Sequence, residues 1–374
     1  MVYKFKKEPT YMKEAVALDD MILTKDSPTS AGSKMLENFT SLFDATVVEK
    51  LSEDYEIIGK VCVDEFALGM LASSATSALD EKEIKAVVGL DADGSYRRAA
   101  ALNSKTFIKP TYGTVSRFGV IPVACSGDTV GVLANTVDDC KEVLAVIAGH
   151  DDKDGTSLAQ DTIATAQEVK PVKKIAIVKD FTQGLSKEMQ TIMDNALAKA
   201  KALGLEIIEV DGSILEQAKT AWLICKSAEF CNNVSRYDGV KFGYRAKDCK
   251  TIEDIYVKSR SEAFGENVKA TILYGSHVLA SDNYDSMYDK ALRVRKLIRA
   301  YFDDIFAQVD AVLLPACSKT EYADNEDASA VYEESRFTAP ASITGLPVVV
   351  NNGVQWVGAP LSDGSLLDLA KKLQ

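Results

Sequence analysis

The chain has 374 residues, with 43 basic and 55 acidic side chains and a formal net charge of −12. This excess of acid disfavours contact with a phosphate backbone, so we expect no direct nucleic-acid binding by the chain itself. No apolar run approaches the roughly 20 residues that span a bilayer, and the N-terminus lacks a signal-peptide core. We therefore predict no membrane partner and a cytoplasmic location.

Cysteine and histidine usage narrows the chemistry further. Seven cysteines without CxxC spacing indicate reduced thiols rather than a disulfide framework. His150 and His277 are the only histidines. Because so few imidazoles are available, the sequence disfavours a Ser-His-Asp triad and a His-rich metal site. We predict no metal and no cofactor, and any nucleophilic serine would need lysine or another base.

The N-terminal part of the chain contains one predicted helix and one predicted strand. Residues 1–30 are polar and poorly periodic, and we expect them to be a peripheral segment. Ser33–Leu51 carries apolar residues at helical spacing, and Glu56–Cys62 has the composition of a buried strand.

A glycine and a serine follow the next predicted strand, Ala86–Leu90. Gly94 and Ser95 there predict a strand that ends in a sharp turn. In such a turn, backbone N–H groups can surround a developing oxyanion while a hydroxyl is presented to a substrate. An ordinary turn with a capping serine is the alternative.

The second half of the chain alternates strands and helices. The predicted strands are Lys173–Val178, Leu205–Val210 and Ala311–Leu314, and the predicted helices are Lys187–Leu203, Ala221–Val234 and Ser286–Phe306. This order indicates a layered α/β fold with mostly buried strands. We find no internal repeat and no low-complexity linker, so we predict a single domain over residues 1–374.

Four longer motifs stand in the region that follows Ala86. They are Gly94-Ser95-Tyr96-Arg97, Lys109-Pro110-Thr111-Tyr112-Gly113, Val115-Ser116-Arg117-Phe118-Gly119 and Ala148-Gly149-His150-Asp151. With these motifs the chain resembles the amidase signature family, and within it the A-type subunits of glutamine-dependent tRNA amidotransferases. The resemblance covers nearly the whole chain, with a signature core at about residues 34–157.

This resemblance implies a fold, a reaction and partners. The fold is a layered α/β/α arrangement with a central mixed sheet flanked by helices. The reaction is hydrolysis of an amide by a nucleophilic serine, for which Ser95 is the candidate. The implied partners are B-like and C-like amidotransferase subunits, which would carry the RNA.

Two departures from the family pattern affect the base. The family places a catalytic lysine in a Lys-Asp-Asn motif, and that position falls on Asp19 in this chain. Lys13 and Lys25 lie nearby in sequence, but solvated lysines are the simpler interpretation. The family's Gly/Ser-rich loop, which carries a bridging serine, is also missing. Residues 73–77 contain serines but no glycines, and we predict a polar turn or helix surface there.

A third departure affects the oxyanion site, which we assign to Gly94 and Asp93. The family's Thr-Gly-Gly-Ser sequence is Ala92-Asp93-Gly94-Ser95 here, so an acidic residue replaces one glycine. A carboxylate at this position would repel the negative charge that the site stabilises. Ser95 without a base is also a weak nucleophile. The three departures together predict a pseudoenzyme.

The family's substrate-binding residues have partial counterparts. The resemblance assigns Tyr244 and Arg295 to the glutamine substrate, with Arg295 on its α-carboxylate. We add Arg97 to this set. The family's ammonium-binding aspartate falls on Ser335, and Glu334 is the candidate to compensate. Packing and surface salt bridges are the alternative role for these side chains.

Three functions are consistent with the sequence. The first is an impaired protein of the amidotransferase A-subunit type that is kept as a scaffold or partner-binding piece. The second is a working amidase or glutaminase subunit, in which Ser95 uses a non-standard base and releases ammonia for transamidation of misacylated tRNA. The third is a module that binds small amides without turnover. We favour the first.

Overall fold

The computed structural model describes residues 1–323 and 326–374. Within these ranges the strands are β1 Tyr3–Lys6, β2 Ala15–Asp19, β3 Glu56–Val61, β4 Ile84–Asp91, β5 Thr106–Lys109, β6 Thr129–Ala134, β7 Lys174–Val178, β8 Glu206–Val210, β9 Ala311–Pro315, β10 Val348–Asn351 and β11 Val354–Gly358. The helices are α1 Thr46–Asp54, α2 Ser73–Ala78, α3 Ser95–Leu102, α4 Val137–Ile147, α5 Gln160–Gln167, α6 Lys187–Ala202, α7 Ala218–Asn233, α8 Ile252–Ala263, α9 Glu266–Leu279, α10 Ser281–Asn283, α11 Lys290–Phe306, α12 Ala328–Thr344 and α13 Asp363–Lys372. A π-helical turn, Tyr284–Asp289, leads into α11.

The described strands form one eleven-stranded sheet in the order β1-β3-β2-β4-β6-β5-β10-β11-β9-β7-β8. Parallel pairing joins β2 to both β3 and β4, and β7 to both β8 and β9. The other pairs are antiparallel, including β4 with β6 and β10 with β11. The mixed sheet that the resemblance implies is therefore confirmed.

Helices cover both faces of this sheet, as predicted. The strand β4 shows why, because its side chains alternate between two apolar clusters. Val87 belongs to a cluster with residues of α3, α7, α11 and α12. Ala86 and Val88 belong to a second cluster with residues of α1, α4 and α13. The result is a layered α/β/α arrangement.

Two expectations about the N-terminal region are wrong. Residues 1–30 are not all peripheral, because β2 is wholly buried between β3 and β4. Its run Ala-Val-Ala-Leu has no period-2 alternation, since both faces of the strand are covered. The helix predicted over Ser33–Leu51 is a 3₁₀ turn, Lys34–Leu36, a loop, and then α1.

No helix in residues 1–323 and 326–374 combines the length and the apolar character that crossing a bilayer requires. In the same residues, no three side chains of the types His, Cys, Asp and Glu gather as a metal site would need.

Candidate functional site

The site is built on the turn between β4 and α3. β4 ends at Asp91, and α3 begins at Ser95. Gly94 between them has φ of 88°, and a Cβ atom there would lie 2.4 Å from Cβ of Thr338. Only glycine fits both this left-handed conformation and this close contact. The predicted strand with a sharp turn at Gly94 is confirmed.

The carboxylate of Asp93 is buried and accepts hydrogen bonds from side chains of α7. Nε1 of Trp222 donates a hydrogen bond to Oδ1 of Asp93 at 3.0 Å, and the ammonium of Lys226 donates to Oδ2. The side chain of Asp93 is 3% exposed and that of Lys226 is 9% exposed. The indole of Trp222 also packs on Gly127, where an added Cβ would meet the ring at 2.2 Å. A buried ion pair and an indole therefore lie beside the candidate oxyanion position.

Ser95 is buried at the first position of α3. Its carbonyl accepts a hydrogen bond from the backbone N–H of Ala72 at 3.3 Å, just before α2. No described residue forms a hydrogen bond with its hydroxyl. In α2, Ser73 and Ser77 are exposed, which confirms the predicted helix surface. The candidate nucleophile thus lacks a base in contact with it among the described side chains.

Asp19, at the family's lysine position, accepts hydrogen bonds from backbone N–H groups. Its Oδ1 accepts from N–H of Met21 at 3.0 Å, and its Oδ2 accepts from N–H of Leu90 at 2.7 Å. The hydroxyl of Tyr96 lies 3.4 Å from Oδ2. Burial raises the pKa of Asp19 to about 6, against the lowering effect of these hydrogen bonds. The carboxylate joins β2 to β4 and contacts Tyr96, the neighbour of Ser95.

The two lysines near Asp19 in the sequence, Lys13 and Lys25, form their contacts with other residues. Lys13 donates to the carbonyls of Ser52 and Glu53, and Lys25 pairs with Asp44 at the surface, at 3.1 Å. This confirms their interpretation as surface lysines.

Lys60 is the buried lysine of the neighbouring strand β3. Its ammonium donates to the hydroxyl of Thr29 and to the carbonyl of Pro28. Burial lowers the pKa of Lys60 to about 8, against the opposing charge of Asp20. These contacts hold Lys60 to the loop that follows β2.

Arg97 lies in the core beneath the turn. Its guanidinium donates to Oδ2 of Asp91 at 2.6 Å, to the carbonyl of Thr338 at 2.8 Å and to Oγ of Ser342 at 2.6 Å. Arg97 and Asp91 are both fully buried. These contacts tie α3 to α12 and favour a structural role over the predicted substrate-binding role.

The other two predicted substrate residues lie in different surroundings. Arg295 of α11 is half-buried and donates from Nη2 to the carbonyl of Ser126 at 3.0 Å. Ser126 is itself held by Glu229 of α7, through its N–H at 2.9 Å and its hydroxyl at 2.5 Å. Tyr244 instead donates its hydroxyl to Glu262. The structure places Arg295 beside α7, and it places Tyr244 against α8.

The residues predicted to hold an ammonium are part of the fold. Glu334 accepts from the N–H of Ser318 at 2.9 Å and from the Ser318 hydroxyl. Ser335 donates its hydroxyl to the carbonyl of Tyr332 at 2.7 Å. Glu334 thus holds the loop that leaves β9, and its carboxylate is occupied.

Sequence reasoning missed Trp222 and Lys226. Both lie in the predicted helix Ala221–Val234, four residues apart, and therefore on one face. A lysine and a tryptophan on the buried face of a helix require polar partners, and this signal was available in the sequence. The identity of the partner, Asp93, was not.

The comparisons with known proteins agree with this architecture. The amidase family model matches residues 15–78 and 82–367. The chain therefore belongs to the amidase family.

Within that family the chain is similar to proteins named as the A subunit of glutamyl-tRNA(Gln) amidotransferase. The protein from Latilactobacillus sakei is 38% identical over 367 residues, covering 89% of this chain and 75% of the relative. The protein from Fusobacterium nucleatum is 34% identical over 398 residues, covering 96% and 82%. That alignment is longer than the 374 residues of this chain, so the relative has internal residues without a counterpart here.

A solved structure carries the same fold. The crystal structure of the A subunit of glutamyl-tRNA(Gln) amidotransferase from Thermotoga maritima superimposes with a TM-score of 0.80 at 26% identity. The match covers 99% of this chain and 86% of the other. The predicted amidase-signature fold is confirmed.

Proposed function

We propose that this member of the amidase family is a protein of the amidotransferase A-subunit type with impaired amide hydrolysis. We propose further that it acts as a scaffold or partner-binding protein. The observation that carries the proposal is that no described side chain forms a hydrogen bond with the hydroxyl of Ser95. An amide-hydrolysing site needs hydrogen-bond donors aimed at a developing negative charge, and the loss of one donor costs about 10²–10³ in rate. Here the turn that would supply such donors contains Asp93, whose carboxylate is paired with Lys226 and Trp222 on α7.

The state of Ser95 supports the same proposal. A serine hydroxyl becomes a nucleophile when an adjacent base takes its proton. The position of the family's lysine is Asp19, whose oxygens accept from Met21, Leu90 and Tyr96 rather than from Ser95. The arginines nearest in sequence, Arg97 and Arg98, stay charged in proteins and cannot act as bases.

The partner-binding part of the proposal derives from the relatives. Their name describes one subunit of an enzyme that acts on glutamyl-tRNA, so we propose B-like and C-like amidotransferase subunits as partners for this chain. The net charge of −12 supports RNA contact through those partners rather than through this chain. We also propose a cytoplasmic location for this chain, because the proposed partners belong to translation.

An active amidase is the second candidate, and one observation favours it. The ammonium of Lys226 lies on Asp93, two residues before Ser95. A lysine that released Asp93 and reached the Ser95 hydroxyl would supply the missing base. In that case activity would depend on both Lys226 and Ser95.

Ammonia release separates the two candidates. Purified chain is assayed with glutamine, asparagine and simple aliphatic amides, beside Ser95→Ala and Lys226→Met. The A subunit of the Latilactobacillus sakei enzyme, assembled with its own partners, is the positive control. We expect the wild type to match both variants. Hydrolysis that is lost in Ser95→Ala would overturn the proposal. Parallel loss in Lys226→Met, with the circular dichroism of the folded wild type retained, would establish the second candidate.

Partner binding is tested separately. The chain is mixed with the purified B and C subunits of the Latilactobacillus sakei enzyme, and complex formation is followed by size-exclusion chromatography with light scattering. A complex supports the scaffold role. A chain that stays alone, under conditions where the Latilactobacillus A subunit forms a complex, contradicts it.

A further inference from the structure

Apolar side chains in and around the segment that precedes α1 are exposed, as Leu42, Phe43 and Phe242 are, or half-buried, as Phe39 and Phe118 are. The ring centroids of Phe43 and Phe118 are 5.1 Å apart, and those of Phe39 and Phe242 are 5.5 Å apart. Leu42, the neighbour of Phe43 in the sequence, is 94% exposed. We call Phe39, Leu42, Phe43, Phe118 and Phe242 the aromatic surface. Contiguous exposed apolar side chains with a polar rim mark interaction sites.

Phe118 of the aromatic surface also lines a cleft of about 320 Å³. Arg236 lines the same cleft, and the other charged side chains in its lining are Arg117, Lys153, Asp128 and Asp154. Arg236 precedes Tyr237, whose ring lies 5.9 Å from that of Phe242. The cleft is near the lower end of the size range of ligand pockets, with room for one or two side chains.

The rim of this surface is basic, in contrast to the acidic chain. Residues 236–250 contain five basic and two acidic side chains, whereas the whole chain has a net charge of −12. Arg236, Lys241 and Arg245 are exposed. None of these three forms an ion pair with a carboxylate in the part of the chain that the structure describes. Their charge is therefore free to act on a partner.

We propose that the aromatic surface and its basic rim bind an acidic, apolar segment of another polypeptide. This inference rests on the proposed partner-binding role and identifies where and how such a partner docks. An apolar side chain of the segment packs on Leu42 and Phe43, and carboxylates on either side of it meet Arg236 and Lys241. The apolar contact supplies desolvated anchor area, and the charges supply specificity and association rate.

The geometry favours a peptide over single-stranded RNA. Bases stack on open ring faces, but Phe118 is packed against Phe43, and the ammonium of Lys153 lies 5.1 Å from its ring centroid. The most exposed apolar residue, Leu42, is aliphatic and offers no stacking face. The net charge of the chain also opposes a long polyanion.

A selection with random dodecapeptides displayed on phage tests the proposal. The full chain is the bait, beside Leu42→Ser/Phe43→Ser, Arg236→Glu/Lys241→Glu and the control Lys187→Glu/Lys201→Glu on α6. Enriched peptides are synthesised, and their binding is measured by fluorescence anisotropy. We expect peptides that combine acidic with apolar residues. We expect their affinity to fall about tenfold or more in the two surface variants and to stay unchanged in the α6 control. Circular dichroism checks that each variant is folded.

Other results would overturn the inference. These are the absence of enriched peptides, enrichment of basic or wholly polar peptides, and binding that survives both surface variants. A single-stranded RNA that binds the chain more tightly than the peptides, and loses affinity in the same variants, would also overturn it. None of these results bears on ammonia release, so the inference and the proposed catalytic impairment succeed or fail separately.

Discussion

The ammonium of Lys226 and the carboxylate of Asp93 form a buried ion pair that joins α7 to the turn before α3. The two residues are far apart in the sequence, yet both side chains are almost wholly withdrawn from solvent. A buried pair of this kind must keep both partners, because removal of one leaves an uncompensated charge in the interior. The pair thus holds the turn before α3 against α7.

The substitution Lys226→Met should destabilise the fold by about 3–5 kcal/mol, because it leaves the buried carboxylate of Asp93 without its ion-pair partner. Urea denaturation followed by circular dichroism measures this. The matched control is Lys219→Met on the same helix, which removes a pair with Glu333 whose carboxylate is 63% exposed. We expect that control to cost about 0–1 kcal/mol.

Asp93→Asn combined with Lys226→Met should recover most of that loss, because no charge is then buried at the site and Trp222 keeps an acceptor. Equal stability of the single variant Lys226→Met and the wild type would show that the pair contributes nothing.

The substitution Arg97→Lys should cost about 3 kcal/mol or more, whereas Arg295→Lys should cost about 1 kcal/mol or less. A lysine cannot reach Asp91, Thr338 and Ser342 together, as the guanidinium of Arg97 does. Among the residues that the structure describes, Arg295 makes a single hydrogen bond, to Ser126. Denaturant midpoints of the two variants provide the comparison. A stable Arg97→Lys would contradict the structural role assigned to that arginine.

The pH dependence of stability should report Asp19. Burial raises its pKa in the folded protein from 3.8 to about 6, so the folded state holds a proton that the unfolded state releases. This contribution is fully present below the unfolded pKa and is lost as pH rises through the folded pKa. Over that window the loss is up to roughly 3 kcal/mol.

Asp19→Asn should remove this part of the pH dependence, because the amide does not titrate. The slope of unfolding free energy against pH between about 4 and 6 is the quantity to compare. Asp285→Asn, which removes an exposed carboxylate that has no ion pair among the described residues, is the matched control and should leave the slope unchanged. A slope that is the same in Asp19→Asn and wild type would contradict the assignment.

Much of the fold was predictable because many of its strands and helices can be recognised from the hydrophobic pattern of their own residues. The predicted strands Lys173–Val178, Leu205–Val210 and Ala311–Leu314 each agree with an observed strand within one residue at either end. These are short runs rich in Ile, Val and Leu. Of the three observed strands, β7 and β9 lie inside the sheet and β8 forms one edge. The predicted helix Ser286–Phe306 begins later as α11, because residues 284–289 form a π-helical turn.

The candidate site was predictable only in part. Gly94 is marked by its place after a strand, whereas β2 was missed because its short apolar run has no alternation. The pairing of Asp93 with Lys226 depends on how α7 packs against the β4–α3 turn, and no local pattern encodes that contact. The same limit applies to Arg97, whose partners Thr338 and Ser342 lie on α12.

The most direct test of the central claim is the reactivity of Ser95 towards a fluorophosphonate probe, which modifies activated serines. The purified wild-type chain, Ser95→Ala and the A subunit of an active amidotransferase are labelled side by side, and modification is mapped by mass spectrometry. We predict labelling of the active relative and none at Ser95 of this chain. Labelling of the wild type that disappears in Ser95→Ala would show an activated nucleophile and contradict the account.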